Sequence, residues 1–227
     1  MNRLSWAWVL AVVLGCVPAC FTKERAITPD LAQIKDGKTW NVINAEFNTF
    51  VEEGKRVVQL KPKGESRKGS LLGLALVEGL EFAEGTIDID LKGKGKTRAS
   101  FLGIAFNVAD EKTFEAVYFR PFNFLRDDKA LRAHAVQYVA WPDHTWENLR
   151  KAQPGVYESA INPIPDPAGW FHARIEVTKT KVSVFVNEAK EPCLVVDRLA
   201  SRASGRVGLW VDSKDGAFAN LKILPAK

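Results

Sequence analysis

Along most of this chain, apolar and polar residues alternate with a period of two, in short runs broken by glycine, proline and asparagine. That periodicity belongs to β-strands with one buried face. The clearest run is Gly85 to Leu91, where Ile87, Ile89 and Leu91 share one face and Thr86, Asp88 and Asp90 the other. It predicts a half-buried strand whose two aspartates lie on a solvated face. Trp170 to Val177 alternates as cleanly, with Phe171, Ala173, Ile175 and Val177 opposite Trp170, His172, Arg174 and Glu176; Lys181 to Val186 follows across a short turn. Further strands are predicted over Trp40 to Ile43, Arg56 to Leu60, Leu71 to Val77, Thr113 to Arg120, His134 to Ala140, Cys193 to Val196, Arg206 to Val211 and Ala217 to Leu224. Ser100 to Phe106 is apolar on both faces, as a central strand in a stack of two sheets is. The one helix candidate is a turn over Trp146 to Arg150. About a dozen strands at this spacing predict an all-β fold, a two-sheet antiparallel jelly-roll β-sandwich. No fixed-period repeat occurs, which disfavours propellers and solenoids.

The first residues depart from this pattern. Arg3 makes a short basic start, and Leu4 to Gly15 is apolar apart from Ser5. The run is too short to span a bilayer comfortably, which takes about 20 residues, but it suits the core of a secretory signal. It ends at Gly15 and Cys16 in a pattern that resembles a bacterial lipobox, in which the cysteine is acylated. Val17, Pro18 and Ala19 before Cys20 offer a rival, an ordinary cleavage site with an unanchored product. The expectation is a signal and tether over residues 1–26, lipidated at Cys16, and a single sandwich domain over residues 27–227. The product is exported to the bacterial cell envelope, a monomer that touches membrane only through its anchor.

Composition changes this picture little. The net charge of +5 is scattered, and the densest basic group, Lys92 to Arg98, separates two predicted strands as a solvated hairpin loop. No element interleaves these charges with aromatics, so nucleic acid is not an expected partner. Three cysteines provide no disulfide framework. Three histidines without metal-ligand spacing make a transition-metal site unexpected. No cofactor is expected. Structural calcium at Asp212 to Gly216 is a weak candidate, since Lys214 opposes a cation and Asp215 with Gly216 is foremost a turn signal.

Gly205 to Val211 followed by Gly216 to Ile223 resembles the closing strands of the concanavalin A-like lectin/glucanase superfamily, and Val184 to Asn187 with Pro192 to Val196 resembles its penultimate hairpin. Within it, the chain is most similar to bacterial laminin-G-like and 3-keto-disaccharide-hydrolase-like domains, in which a tyrosine, arginine and proline strand end precedes a glutamine-tyrosine strand. Here these are Tyr118, Arg120, Pro121, Gln137 and Tyr138. The resemblance covers Trp40 to Ile223 and implies the jelly roll. The glucanase members carry Glu, Asp and Glu on one strand face; this chain has no such strand, Asp88 and Asp90 coming nearest.

Serine-hydrolase, phosphate-loop and dinucleotide motifs are missing. The stretch from Phe114 to Glu158 instead crowds aromatic rings beside planar donors and acceptors, the materials of a sugar site. The candidate ligand-binding residues are Tyr118, Arg120, Asn123, Gln137, Tyr138, Trp141, Trp146 and Arg150. Asp143 and Glu158 are the candidate carboxyls should the site be catalytic. Strand alternation puts Tyr118 with Arg120, His134 with Tyr138, and Gln137 with Trp141 on the opposite face from Tyr138. Trp141, Trp146, Tyr157 and Phe122 fit equally as aromatics closing the end of the sandwich, and Arg120, Arg150 and Glu158 as an ion network holding the loops. The leading expectation is a saccharide-binding domain, with a glycoside hydrolase acting on a disaccharide or 3-keto-disaccharide as the alternative and a non-catalytic envelope interaction module third.

Overall fold

The computed structural model describes residues 26–64, 72–96, 100–200 and 202–226; the apolar start with Cys16 and Cys20 lies outside them. In chain order the strands are β1 (Trp40–Ile43), β2 (Ala45–Glu52), β3 (Lys55–Pro62), β4 (Leu72–Val77), β5 (Gly85–Lys92), β6 (Phe101–Asp110) and β7 (Thr113–Phe119). They continue with β8 (Val136–Trp141), β9 (Glu158–Ser159), β10 (Phe171–Val177), β11 (Lys181–Val186), β12 (Leu194–Asp197), β13 (Arg206–Asp212) and β14 (Gly216–Pro225), and two short helices, α1 (Lys129–Arg132) and α2 (Trp146–Ala152), precede and follow β8. The first sheet runs β1-β4-β13-β6-β7-β8-β9 and the second β12-β11-β10-β5-β14-β3-β2, seven strands each. All pairings are antiparallel. This is the expected jelly-roll sandwich.

The core forms where the apolar faces of the two sheets meet. Ile87, Ile89 and Leu91 of β5 are fully buried, as are Val117 and Phe119 of β7 and Ala173 and Ile175 of β10. Phe119 meets Phe171 edge-on across the two layers at 5.1 Å between ring centres. Because Phe119 and Val117 point inward, alternation sends Tyr118 outward. A buried charge cluster closes one end: the fully buried Glu115 carboxylate is held by Arg198, with Nη2 at 2.9 Å, by the Tyr138 hydroxyl at 2.6 Å and by Asn107 Nδ2 at 2.6 Å.

Two strands escape the hydrophobic pattern. β2 is an edge strand with one fully buried residue, Ala45, while Phe47, Phe50 and Val51 are exposed; with one sheet neighbour and little core contact, it carries no clean alternation. β9 is two residues long, too short for a periodicity. The expected solvated face of Asp88 and Asp90 also requires correction. Both point away from the core, yet Asp88 is 7% exposed, covered by Arg174 Nε at 2.9 Å and His172 Nε2 at 3.3 Å. Asp90 binds Lys55 Nζ at 2.8 Å and His172 Nδ1 at 2.9 Å. Long cations on neighbouring strands lie across these carboxylates and replace their water. The basic loop after β5 is likewise partly paired, Lys92 with Glu52 and Lys94 with Asp215.

Candidate functional site

One line of paired residues crosses the outer face of the first sheet: Leu74, Trp210, Gly103, Tyr118, Gln137 and Glu158, on β4, β13, β6, β7, β8 and β9. Gly103 decides what this row can do. A Cβ there would collide with the Val117 carbonyl and the Tyr118 side chain, and without one the Trp210 and Tyr118 rings stack across the gap at 4.6 Å between centres and 30° between planes. The pair forms the back of a cleft of about 760 Å³. Trp141, the last residue of β8, makes one wall and lies flat on Phe114 at 5.8 Å and 15°.

The opposite side is made by the 3-10 turn Pro121–Asn123, which brings Phe122 and Asn123 to the cleft, and by helix α2 (Trp146–Ala152). Thr145 caps α2 by accepting the Asn148 N–H, Glu147 sits in its first turn, and Arg150 and Lys151 in its last, all in accord with the helix dipole. Trp146 and Arg150 are four apart and therefore neighbours on one side of the helix; the guanidinium carbon lies 4.9 Å from the indole centre. Both line the cleft.

Arg120 is 5% exposed and runs under Tyr118 and Phe101, its guanidinium carbon 4.8 and 5.7 Å from their ring centres. It donates from Nη2 to the Tyr118 hydroxyl at 2.7 Å and to Gln137 Oε1, and from Nη1 to the His134 carbonyl at 2.8 Å. Burial pushes the Tyr118 phenol up to about 12, so it stays a neutral donor, directed at Gln137 Oε1 at 3.2 Å. Gln137 is buried behind this pair. It orients Tyr118 and Arg120 without itself lining the cleft.

Glu158 and Arg150 form a two-bond ion pair, with Nε to Oε1 at 3.0 Å and Nη2 to Oε2 at 2.6 Å. Glu158 Oε2 also lies 2.8 Å from His134 Nδ1. Burial lowers the His134 pKa, more than Glu158 raises it, so His134 is neutral near pH 7. The ion-network reading therefore holds for Arg150 and Glu158, whereas Arg120 stays out of it and binds only neutral oxygens.

Tyr118, Arg120, Asn123, Trp141, Trp146 and Arg150 all meet at the cleft. Tyr138 does not: it is fully buried, faces the core opposite Gln137, and donates to Glu115. The pairing of His134 with Tyr138 on one face fails because β8 begins at Val136. His134 precedes the strand, escapes its alternation and lines the outer cleft. Asp143 follows β8 beside a separate hollow of about 160 Å³, so it is not a cleft residue. Glu158 is buried behind His134 and Arg150. Sequence reading omitted Phe101, Arg126, Val139, Trp210 and Asp212 from the site, all of which line it. Trp210 carried a usable signal, since Leu209 and Val211 are apolar on both sides of it and alternation turns it outward.

A wider, more open depression of about 1110 Å³ lies on the outer face of the second sheet, among Asp90, His172, Arg174, Glu176, Phe185 and Asn187. Its principal charged groups already pair with one another, as described for Asp88 and Asp90. Asp215, in the loop weighed for calcium, is bound by Lys94 Nζ at 2.6 Å and Gln59 Nε2 at 2.5 Å. Among the described residues no group of three or more acidic, histidine or cysteine side chains could hold a metal ion.

No family model and no curated protein matches the sequence. Solved structures do match. The carbohydrate-binding module CBM66 from Bacillus subtilis aligns with a TM-score of 0.55 at 12% identity, over 82% of this chain and 95% of that one. A Bacillus subtilis protein of unknown function with a galectin-like fold gives 0.53 at 11%, over 86% and 92%. A native glycosidic hydrolase gives 0.52 at 12%, over 89% and 96%. Identities this low speak for the fold alone. The chain shares the two-sheet β-sandwich fold of these structures, one of which is described as galectin-like.

Proposed function

We propose that the chain binds a saccharide in the cleft over the outer face of its first sheet. The observation that carries this is the juxtaposition there of indole and phenol rings, Trp141, Trp146 and the stacked Trp210 and Tyr118, with the planar donors of Arg120 and Asn123. Pyranose rings have one apolar face and a rim of hydroxyls, and such a surface offers partners to both. The carbohydrate-binding module and the glycosidic hydrolase among the structural neighbours support the same ligand class. Hydrolysis draws less support. It uses two carboxyls across the scissile bond, about 5 Å apart for retention and roughly 6.5 to 9.5 Å for inversion. Of the two expected carboxyls, Asp143 lies outside the cleft and Glu158 is committed to Arg150 and His134; the carboxyls that line the cleft are Glu147 and Asp212. The basic and apolar start with Cys16 supports export and a lipid anchor for this binding domain.

Trp146 is 40% exposed and stands on a short helix at the rim, so its truncation separates binding from folding. Screening a glycan array and titrating the best hit calorimetrically should give a Trp146→Ala variant weakened by about 1 to 2 kcal/mol, the burial of part of a large apolar side chain, at an unchanged melting temperature. A hit whose affinity ignores Trp146→Ala and Trp141→Ala alike does not bind in this cleft.

A further inference from the structure

An arginine keeps its charge wherever it is buried, and a buried charge is costly unless an opposite charge and full hydrogen bonding accompany it. The chain follows this rule at the buried Arg198, which meets Glu115, and even at the half-buried Arg150 and the exposed Arg174, which meet Glu158 and Asp88. Arg120 breaks it. It is as buried as any of them, yet its hydrogen bonds end on a phenol hydroxyl, a carboxamide and a backbone carbonyl. The faces of Phe101 and Tyr118 supply cation–π attraction, which offsets only part of the cost of desolvating the ion.

Three bonds to the protein use three of the five N–H donors a guanidinium carries. No described residue accepts from the other two, and Arg120 lines the cleft. Nearby donors are also short of acceptors. The Asn123 amide reaches the His134 carbonyl only at 3.4 Å, and the buried Trp210 Nε1 has no partner among the described residues. Among the described residues, this end of the cleft is a set of donors around a positive charge that forms no ion pair.

We propose that the saccharide is acidic, a chain containing a hexuronic acid whose carboxylate docks on Arg120. This rests on the saccharide reading above. A carboxylate on a sugar ring supplies the missing negative charge and accepts paired N–H bonds, while the same ring presents its apolar face to the tryptophans. The charge must be single and local, because Glu147 also lines the cleft and repels a densely sulfated or phosphorylated chain.

The test compares each acid with its own neutral form. Trimers of galacturonic, glucuronic and mannuronic acid, each beside its carboxyl-reduced counterpart of identical linkage, are titrated into the protein at low and moderate sodium chloride. At least one acid trimer should bind tighter than its reduced form by roughly tenfold or more, the ratio a charge-assisted hydrogen bond supports. Added salt should narrow that gap. Arg120→Gln should level the two forms, and Arg120→Lys should keep part of the preference. If circular dichroism shows either variant unfolded, the acid-to-reduced ratio of the wild-type protein and its salt dependence decide alone. Reduced trimers or neutral glycans that bind as well as the acids overturn the inference and leave saccharide binding standing. Failure of every acidic and neutral glycan to bind overturns both.

Discussion

The Glu115–Arg198 pair is where a single substitution should cost the fold most. Glu115 is fully buried and the Arg198 side chain is 4% exposed. Arg198 directs Nε to both carboxylate oxygens at 3.0 Å and Nη2 to one at 2.9 Å, and its Nη1 caps the Ala83 and Thr178 carbonyls at 3.1 and 3.3 Å. Arg198→Met keeps the stem and removes the charge. It leaves a carboxylate in the core with two neutral donors, Tyr138 and Asn107, and breaking a buried pair this way costs about 3 to 5 kcal/mol. Against a total stability of about 5 to 15 kcal/mol, that is a large fraction. Two other pairs calibrate the number. Arg150–Glu158, with side chains 32% and 3% exposed, should cost about 1.5 to 3 kcal/mol on Arg150→Met, because the freed carboxylate has His134 beside it and water near. Lys181–Asp197, 56% and 75% exposed, should cost about 0 to 1 kcal/mol. Urea titrations of the three variants, followed by tryptophan fluorescence, should rank them in that order. The double variant Arg198→Met with Glu115→Gln should recover much of the loss by removing the stranded charge. Equal costs across the three, or an Arg198→Met loss under about 1 kcal/mol, would refute burial as the governing variable.

Hydrogen bonds donated to Asp90 and then Asp88 raise the His172 pKa above 6.5, so its contribution to stability is complete below that pH and disappears as pH rises through the folded-state value. His134 is shifted the other way, and so the readout is the difference between wild type and His172→Gln. That difference should shrink as pH climbs above about 6.5, and a difference independent of pH would remove the assignment. Gly103→Ala should lower the melting temperature sharply and disturb the Tyr118–Trp210 stack, since its Cβ meets backbone; a variant with wild-type stability and near-ultraviolet dichroism would contradict the packing. Clickable fatty-acid labelling of cells should mark the wild-type protein and not Cys16→Ala, and unchanged labelling of that variant would eliminate Cys16 as the anchor.

The strands that span the core were legible in the sequence because burial on one face imposes a period of two, and Gly85 to Leu91 or Phe171 to Val177 obey it residue by residue. β2 was not, because it pairs with one neighbour only and leaves Phe47, Phe50 and Val51 exposed. The cleft was legible as a region but not residue by residue. Alternation grouped Tyr118 with Arg120 and Gln137 with Trp141, but it left open which face of each strand lines the cleft. It failed at His134, which lies before the strand, and it carries no information about which residue of another strand stands opposite. Trp210 joins Tyr118 only through the pairing of β13, β6 and β7, a long-range register. Asp143 and Glu158 looked alike in sequence, two carboxyls near tryptophans. Their difference arises from one helical turn of α2, which aims Arg150 at Glu158 and leaves Asp143 outside.

The same comparison of satisfied and unsatisfied groups decides between the two outer faces of the sandwich. The larger depression, on the second sheet, has the richer inventory of charges, and volume alone would favour it. Its most buried carboxylate, however, is spent within the protein: Asp90 accepts from Lys55, His172 and Asn220, which holds its carboxyl down at about 2, and the neighbouring Asp88 occupies Arg174 and His172. A ligand arriving there must break bonds it then replaces, for little net gain. Trp170, the large ring nearest that network, is also engaged, donating to Glu52 and flanked by Lys55 and Lys92. On the first sheet the balance is reversed. Among the described residues Arg120 has no counter-charge and the Trp210 indole N–H no acceptor, and Trp146 has an exposed face. Binding there adds interactions the free protein lacks, and that surplus, more than the size of the hollow, gives a ligand its affinity.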